Sequence, residues 1–250
     1  MVGCDFKRMF HSWQIYVSII AGLFMLLRPL MELYGTWKEY TPMTLLSMPL
    51  AVSDFTPFAA VFCVLPFADS FCEDFSSHYL CGILQRVGVR RYAILRCISV
   101  AISGGLVMGV IMLMTILMCV AGAGRPDTAE SVAFLSGSVW MRMGIILTGN
   151  GILLYLCRIL LAFLFGALWA LVGLVISSFV PNRYVSMIAP FVLYQALWFF
   201  LDENVLNPVY LFRGDFSHIP SFAFIVLWQT LCIGLCVALS CLGIRRRMES

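Results

Sequence analysis

The chain has 250 residues and 28.0 kDa, with 62% hydrophobic and 12% charged residues, a mean hydropathy of +0.96 and a net charge of +3. Soluble domains carry about 25% charged residues, so this chain lacks the polar coat that water demands. Disorder, a collagen-like repeat and a disulfide-rich secreted module are excluded, and so small a net charge points to no nucleic-acid partner; an all-α, polytopic integral membrane protein is expected.

In chain order, the first feature is a short segment in which Phe6, Met9, Phe10 and Trp13 share one helical face, with Lys7 and Arg8 on another. That pattern suits a short N-terminal helix lying on the membrane interface. The apolar stretch behind it is longer than a signal-peptide core and has no small-residue cleavage site after it, so it is expected to be a span.

Six long apolar stretches follow, at about 13–31, 51–71, 97–121, 152–179, 184–201 and 222–244. Each is near or above the roughly 20 residues that a helix needs to cross hydrocarbon. Lipid cannot pair with exposed backbone groups, so such stretches are helices. The alternating segments of about ten residues that build a membrane β-barrel are absent from the pattern. Asp54 and Pro57 shorten the second stretch, and Pro66 lies inside it.

Between the second and third stretches, Phe75, Tyr79, Ile83 and Val87 recur every fourth residue, joined by Leu80 and Leu84. Glu73 and Asp74 open this amphipathic helix, at about 73–88, and Arg86, Gly88, Arg90 and Arg91 close it, as the helix dipole favours. Two interpretations fit the pattern equally: a helix resting on lipid headgroups, and an apolar ridge offered to a groove on a soluble partner.

Two residues stand out as charges in or near the apolar stretches, Asp69 and Arg158. Asp69 lies near the end of the second stretch, within reach of water. The fourth stretch would be about 42 Å long at 1.5 Å per residue, longer than the hydrocarbon. A span that starts at Ile159 leaves Arg158 to snorkel at the outer interface, and this is favoured over a buried functional charge. Small residues form a stripe at Ala162, Gly166, Ala170 and Gly173, matched by Gly105 and Gly109 on the third stretch. Such stripes let helices approach closely in lipid, either within one chain or at a dimer seam. Farther on, Asn207, Pro208, Tyr210 and Phe212 lie in a short outer link before the sixth stretch. Cys232 and Cys236 are one turn apart but have no His or carboxylate nearby, so they are expected to be core filler and not a metal site.

Basic residues give the orientation. With the N-terminus inside, Lys7, Arg8, Arg86, Arg90, Arg91, Arg96, Arg183 and Arg245–Arg247 are cytoplasmic, while Arg28, Lys38, Arg125, Arg142 and Arg213 are outside. Both termini are therefore expected in the cytoplasm. Lys7 precedes Arg8 and Lys38 precedes Glu39. Neither makes the Gly-Lys-Ser/Thr of a phosphate-binding loop, so ATP hydrolysis by that device is excluded. No catalytic, cofactor-binding or metal-ligating constellation is apparent, and the chain is not expected to be an enzyme.

Three features resemble the permease subunits of type-2 ATP-binding-cassette (ABC) exporters. The first is an acidic residue, Glu73, followed a few residues on by Ser76 and Ser77 where the family usually has Gly, then a short helix and the basic turn Arg90-Arg91-Tyr92 through Arg96, at whose end Lys is commoner in the family. The second is the turn from Gly173 through Pro181-Asn182-Arg183-Tyr184, with Pro190 following it. The third is the overall plan of an interfacial helix, six spans and a short outer link. The resemblance implies a coupling helix that docks on a separate ATPase subunit through Glu73, Asp74, Phe75, Tyr79, Leu80, Ile83, Arg86 and Arg90. It further implies two ATPase copies that carry ATP and Mg, a second permease chain, identical or related, and an outer gate around Asn207, Pro208, Tyr210 and Phe212. The setting is the bacterial cell (inner) membrane and its lipid. An apolar path suits a hydrophobic or amphipathic cargo such as a drug, a lipid or an antimicrobial peptide. The alternative is a secondary transporter or channel that works without ATP, with Asp69 and Arg158 as its charged elements.

Overall fold

Gly88 has φ +80°, a conformation that side chains with a Cβ resist, and behind it nothing breaks the helical pattern for 34 residues. The result is the central helix of the computed structural model, which describes residues 7–9, 11–52, 55–66, 70–76, 88–124, 151–202, 204–213 and 221–249. Every regular element among these residues is helical. The order is α1 (Trp13–Glu32), a 3-10 helix (Tyr34–Glu39), α2 (Pro42–Val52), α3 (Phe55–Val64), α4 (Ser70–Ser76), α5 (Val89–Gly122), α6 (Gly151–Phe179), α7 (Arg183–Phe200), α8 (Pro208–Arg213) and α9 (Phe222–Glu249).

Four of these helices are long and apolar enough to cross a membrane: α1, α5, the 155–179 part of α6, and the 222–247 part of α9. Their surfaces suit lipid. Trp13, Ile20 and Phe24 on α1 are exposed, as are Leu227, Leu231, Leu235 and Leu242 on α9. Six buried hydroxyls, by contrast, turn back onto their own helices. Ser18, Ser99, Ser103, Thr115, Ser177 and Ser178 each donate to a carbonyl three or four residues earlier. In hydrocarbon an unpaired hydroxyl would cost several kcal/mol, and this back-bonding removes the debt without a partner helix.

The second apolar stretch differs from its expected form. It is not one helix over 51–71 but a string: α2 ends at Val52, α3 runs from Phe55 to Val64, and α4 follows from Ser70. Pro66 supplies no amide donor and disfavours a helical residue before it, so α3 stops at a turn over 65–66. Residues 42–50, which lie between the first two expected stretches, are helical as well. The string nevertheless runs the length of α5 in the opposite direction. Trp37 lies against Gly122, the Cys63 carbonyl lies beside Gly104, and Asp74 bonds Tyr92. The third stretch starts earlier than expected, because no breaker separates Val89 from Cys97. The first, fourth, fifth and sixth stretches match α1, α6, α7 and α9 within a few residues. Near the N-terminus residues 7–9 are helical and Met9 is buried, whereas Trp13 is exposed; Phe6 and Phe10 lie outside the described residues.

Close packing of α5 on α6 sets the centre of the bundle. A Cβ added to Gly104 would meet the Gly166 carbonyl and Ala170, and Phe163 covers Gly105. The stripe of Ala162, Gly166, Ala170 and Gly173 is buried. Gly166 and Ala170 make their contact with α5 of the same chain. Around this seam the chain sorts its charges into two ends. Arg8, Asp74, Arg96 and Arg247 gather with Tyr92 and Phe75 at one end, called here the basic end. Arg158 and Arg213 meet at the other, the α8 end.

Candidate functional site

At the basic end the polar centre is Asp74 of α4. Tyr92 and Arg96 are four residues apart on α5 and so lie on one face. That face points at α4. The Tyr92 hydroxyl donates to Asp74 Oδ2 at 3.0 Å, Arg96 Nη2 pairs with the same oxygen, and Arg8 Nη1 donates to Oδ1 at 2.9 Å. The Arg96 guanidinium also sits 5.6 Å from the Tyr92 ring centroid. Arg96 is 0% exposed and Asp74 3%. A buried guanidinium without a carboxylate is strongly unfavourable, so the pairing with Asp74 stabilises Arg96 in its buried position. The three donors tie the N-terminal segment, α4 and α5 into one unit.

This geometry divides residues that the sequence groups together. Asp74, expected on an outward coupling surface, faces inward. Phe75 is partly exposed, with the Arg247 guanidinium 5.6 Å from its ring centroid. Arg90 is exposed at the start of α5. Glu73 belongs to α4, but its side chain lies outside the described residues, as do Asp69, Tyr79, Leu80, Ile83 and Arg86.

At the α8 end Arg158 is 3% exposed and donates from Nη1 to the carbonyl of Arg213, the last residue of α8. It does not snorkel at an outer surface, as its place in an over-long span suggested. Instead α8 folds over it and presents a C-terminal carbonyl, the partner a cation prefers at a helix end. Asn207 holds the other end of α8. Its Nδ2 donates to the carbonyls of Trp198, Leu201 and Asp202 at 3.2, 3.4 and 3.2 Å, and its Oδ1 accepts from Val209 N at 3.0 Å. One carboxamide thus closes the C-terminus of α7 and opens α8.

The residues expected to form an outer gate are packed into the bundle. Asn207, Pro208 and Phe212 are buried and Tyr210 is partly so. Phe212 packs 4.7 Å from Phe165 and 6.0 Å from Phe55, ring centroid to centroid. Phe165 in turn lies near Trp169 and Tyr194. Replacing Asn207 with Leu strands several buried backbone groups, each costing about 1–3 kcal/mol when unpaired. The expected result is a loss of at least one such increment in thermal stability in detergent; unchanged melting would show that the carboxamide does not carry the junction.

Two kinds of residue escaped the sequence. Arg96 reads there as part of a basic turn, and only its spacing from Tyr92 hints at a shared face. Gln229 is a lone amide in an apolar span, a signal visible in composition that no periodicity explains.

Comparison with protein-family models, with curated proteins and with solved structures yields no match for this chain.

Proposed function

We propose that this chain is the membrane-spanning subunit of an ABC exporter, crossing the bacterial cell membrane six times with both termini and the basic end in the cytoplasm. The observation that carries the proposal is the Asp74 network, which ties the start of the predicted coupling helix to the central helix α5 and to Arg8. A force applied to 73–88 by a soluble ATPase reaches α5 through the buried ion pair of Asp74 with Arg96. The gathering of arginines at that end agrees with the positive-inside rule. The α3–α4 string and α7 supply the two crossings beyond the four long apolar helices. Two ATPase copies and a second permease chain complete the unit, and the cargo is a hydrophobic or amphipathic solute.

The double variant Glu73→Ala, Leu80→Asp tests the reading. It should insert normally but bind the ATPase roughly 30-fold more weakly, as when an anchor worth about 2 kcal/mol is lost. ATP-driven flux in proteoliposomes should fall with it. Normal copurification and normal ATP-driven transport by the double variant overturn the proposal. Sustained uphill flux under an ion gradient, with no ATPase present, would establish the secondary-transporter alternative in its place.

A further inference from the structure

Gln229 lies about two turns inside α9 and is 1% exposed. Neither its Nε2 nor its Oε1 has a hydrogen-bond partner among the described residues. The indole Nε1 of Trp169 and the hydroxyl of Tyr194 are likewise buried and unpaired among them, and these two rings meet edge to face at 5.1 Å. Gln229 and Trp169 both line a cavity of about 360 Å³ between α6, α7, α8 and α9. Its other walls are apolar, including Leu197 and Pro208, and the exposed Leu193 and Leu235 place its mouth on the lipid-facing perimeter.

A buried carboxamide left unpaired costs about 1–3 kcal/mol. A water at Gln229 would leave the rest of the cavity unfilled, since the wall beyond Gln229 and Trp169 is mostly hydrocarbon. A guest with one polar head and an apolar body meets both requirements. No charged side chain lines the cavity among the described residues, so a charged head would be desolvated without a counter-ion there. The carboxamide of Gln229 both donates and accepts and the Trp169 indole donates, which matches an alcohol or an amide. The volume falls in the range of about 300–1,000 Å³ typical of small-molecule sites.

We propose that this cavity binds a neutral amphiphile, an aliphatic chain ending in an alcohol or amide, that enters sideways from the membrane and hydrogen-bonds Gln229. The site stands on its own residues and holds whether or not the chain works with an ATPase.

The test uses the full chain in lipid nanodiscs, photolabelled with a diazirine-bearing hexadecanol and, in parallel, with a diazirine-bearing hexadecane. Two variants are compared: Gln229→Leu, which keeps the volume but removes the head's partner, and Leu197→Trp, which fills the cavity. The expected result is hexadecanol label mapped to peptides of α6 and α9, competed by unlabelled hexadecanamide and not by palmitate. Gln229→Leu should reduce it about tenfold, the size of one hydrogen bond to a neutral group, with hexadecane labelling unchanged. Leu197→Trp should abolish labelling by both probes. Equal labelling by alcohol and hydrocarbon in the parent chain, or full hexadecanol labelling in Gln229→Leu, overturns the proposal. Lipid extraction separates the two sources of such a guest. A neutral lipid enriched in the parent over Gln229→Leu identifies a resident membrane lipid, whereas hexadecanol binding without such enrichment identifies a solute from outside; either supports the site.

Discussion

Asp74→Ala is expected to destabilise the protein by about 3–5 kcal/mol, because it removes the carboxylate that pairs with the fully buried Arg96 guanidinium. The same principle makes the rescue specific. Removing both charges, as in Asp74→Ala with Arg96→Met, should recover most of the loss, since a buried pair is hard to break but cheap to replace as a whole. Arg8→Ala should cost less than about 1 kcal/mol, because the Arg8 side chain is 46% exposed and its pairing is screened by water. Tyr92→Phe should fall between them, at about 1.5–3 kcal/mol for a hydrogen bond to a charged group. Thermal unfolding of these four variants and of Arg96→Met alone, in one detergent, measures the series. An unaltered melting temperature for Asp74→Ala, or strictly additive losses in the double variant, would show that Asp74 and Arg96 are not a coupled pair.

Gly166→Leu has the second large expected effect. A Cβ at this position would collide with the carbonyl group of Gly104 and with Met108 Cγ. A side chain can rotate away from a clash, but a helix backbone can only retreat, and retreat would open the whole α5–α6 seam. Overpacking of this kind costs about 1–3 kcal/mol and sometimes more, and the backbone partner places this case at the upper end. The yield of folded, detergent-stable chain in size-exclusion chromatography should drop sharply. Gly234 provides the control, since a Cβ there meets nothing within 4 Å; Gly234→Ala should leave stability unchanged or raise it by up to about 1 kcal/mol, as removal of a helix-interior glycine does. The pair also separates two uses of the small-residue stripe. If Gly166 served a seam between chains, Gly166→Leu would leave each chain folded and lower only crosslinking between copies.

These two sites mark how far local pattern reaches. Apolar length alone located α1, α6, α7 and α9 to within a few residues, because hydrocarbon thickness sets a span's minimum and charges or helix breakers mark its ends. Pattern failed where a breaker's effect depended on surroundings. Pro57 lies inside α3 near its start, where a helix tolerates proline, while Pro66 follows its end. The small-residue stripe was equally legible as chemistry and silent about its partner. Only packing showed Gly166 against Gly104 of the same chain.

Arg158 shows why a length argument is weak for a single charge. The span has room for it at an interface, yet α8 folds back and offers a carbonyl that no neighbour in sequence announces. Asp74 and Phe75 show the same limit at the other end. Adjacent helical residues point about 100° apart, so one turns toward Arg96 and the other toward Arg247. Composition and periodicity by themselves determined that this chain builds helices long and apolar enough to cross a membrane, and where most of those helices run. Those properties follow from each segment's own transfer into lipid. The tertiary structure alone decided which charges are buried, which amide caps which helix and where an unpaired Gln229 meets a cavity, because each depends on contacts between residues far apart in the chain.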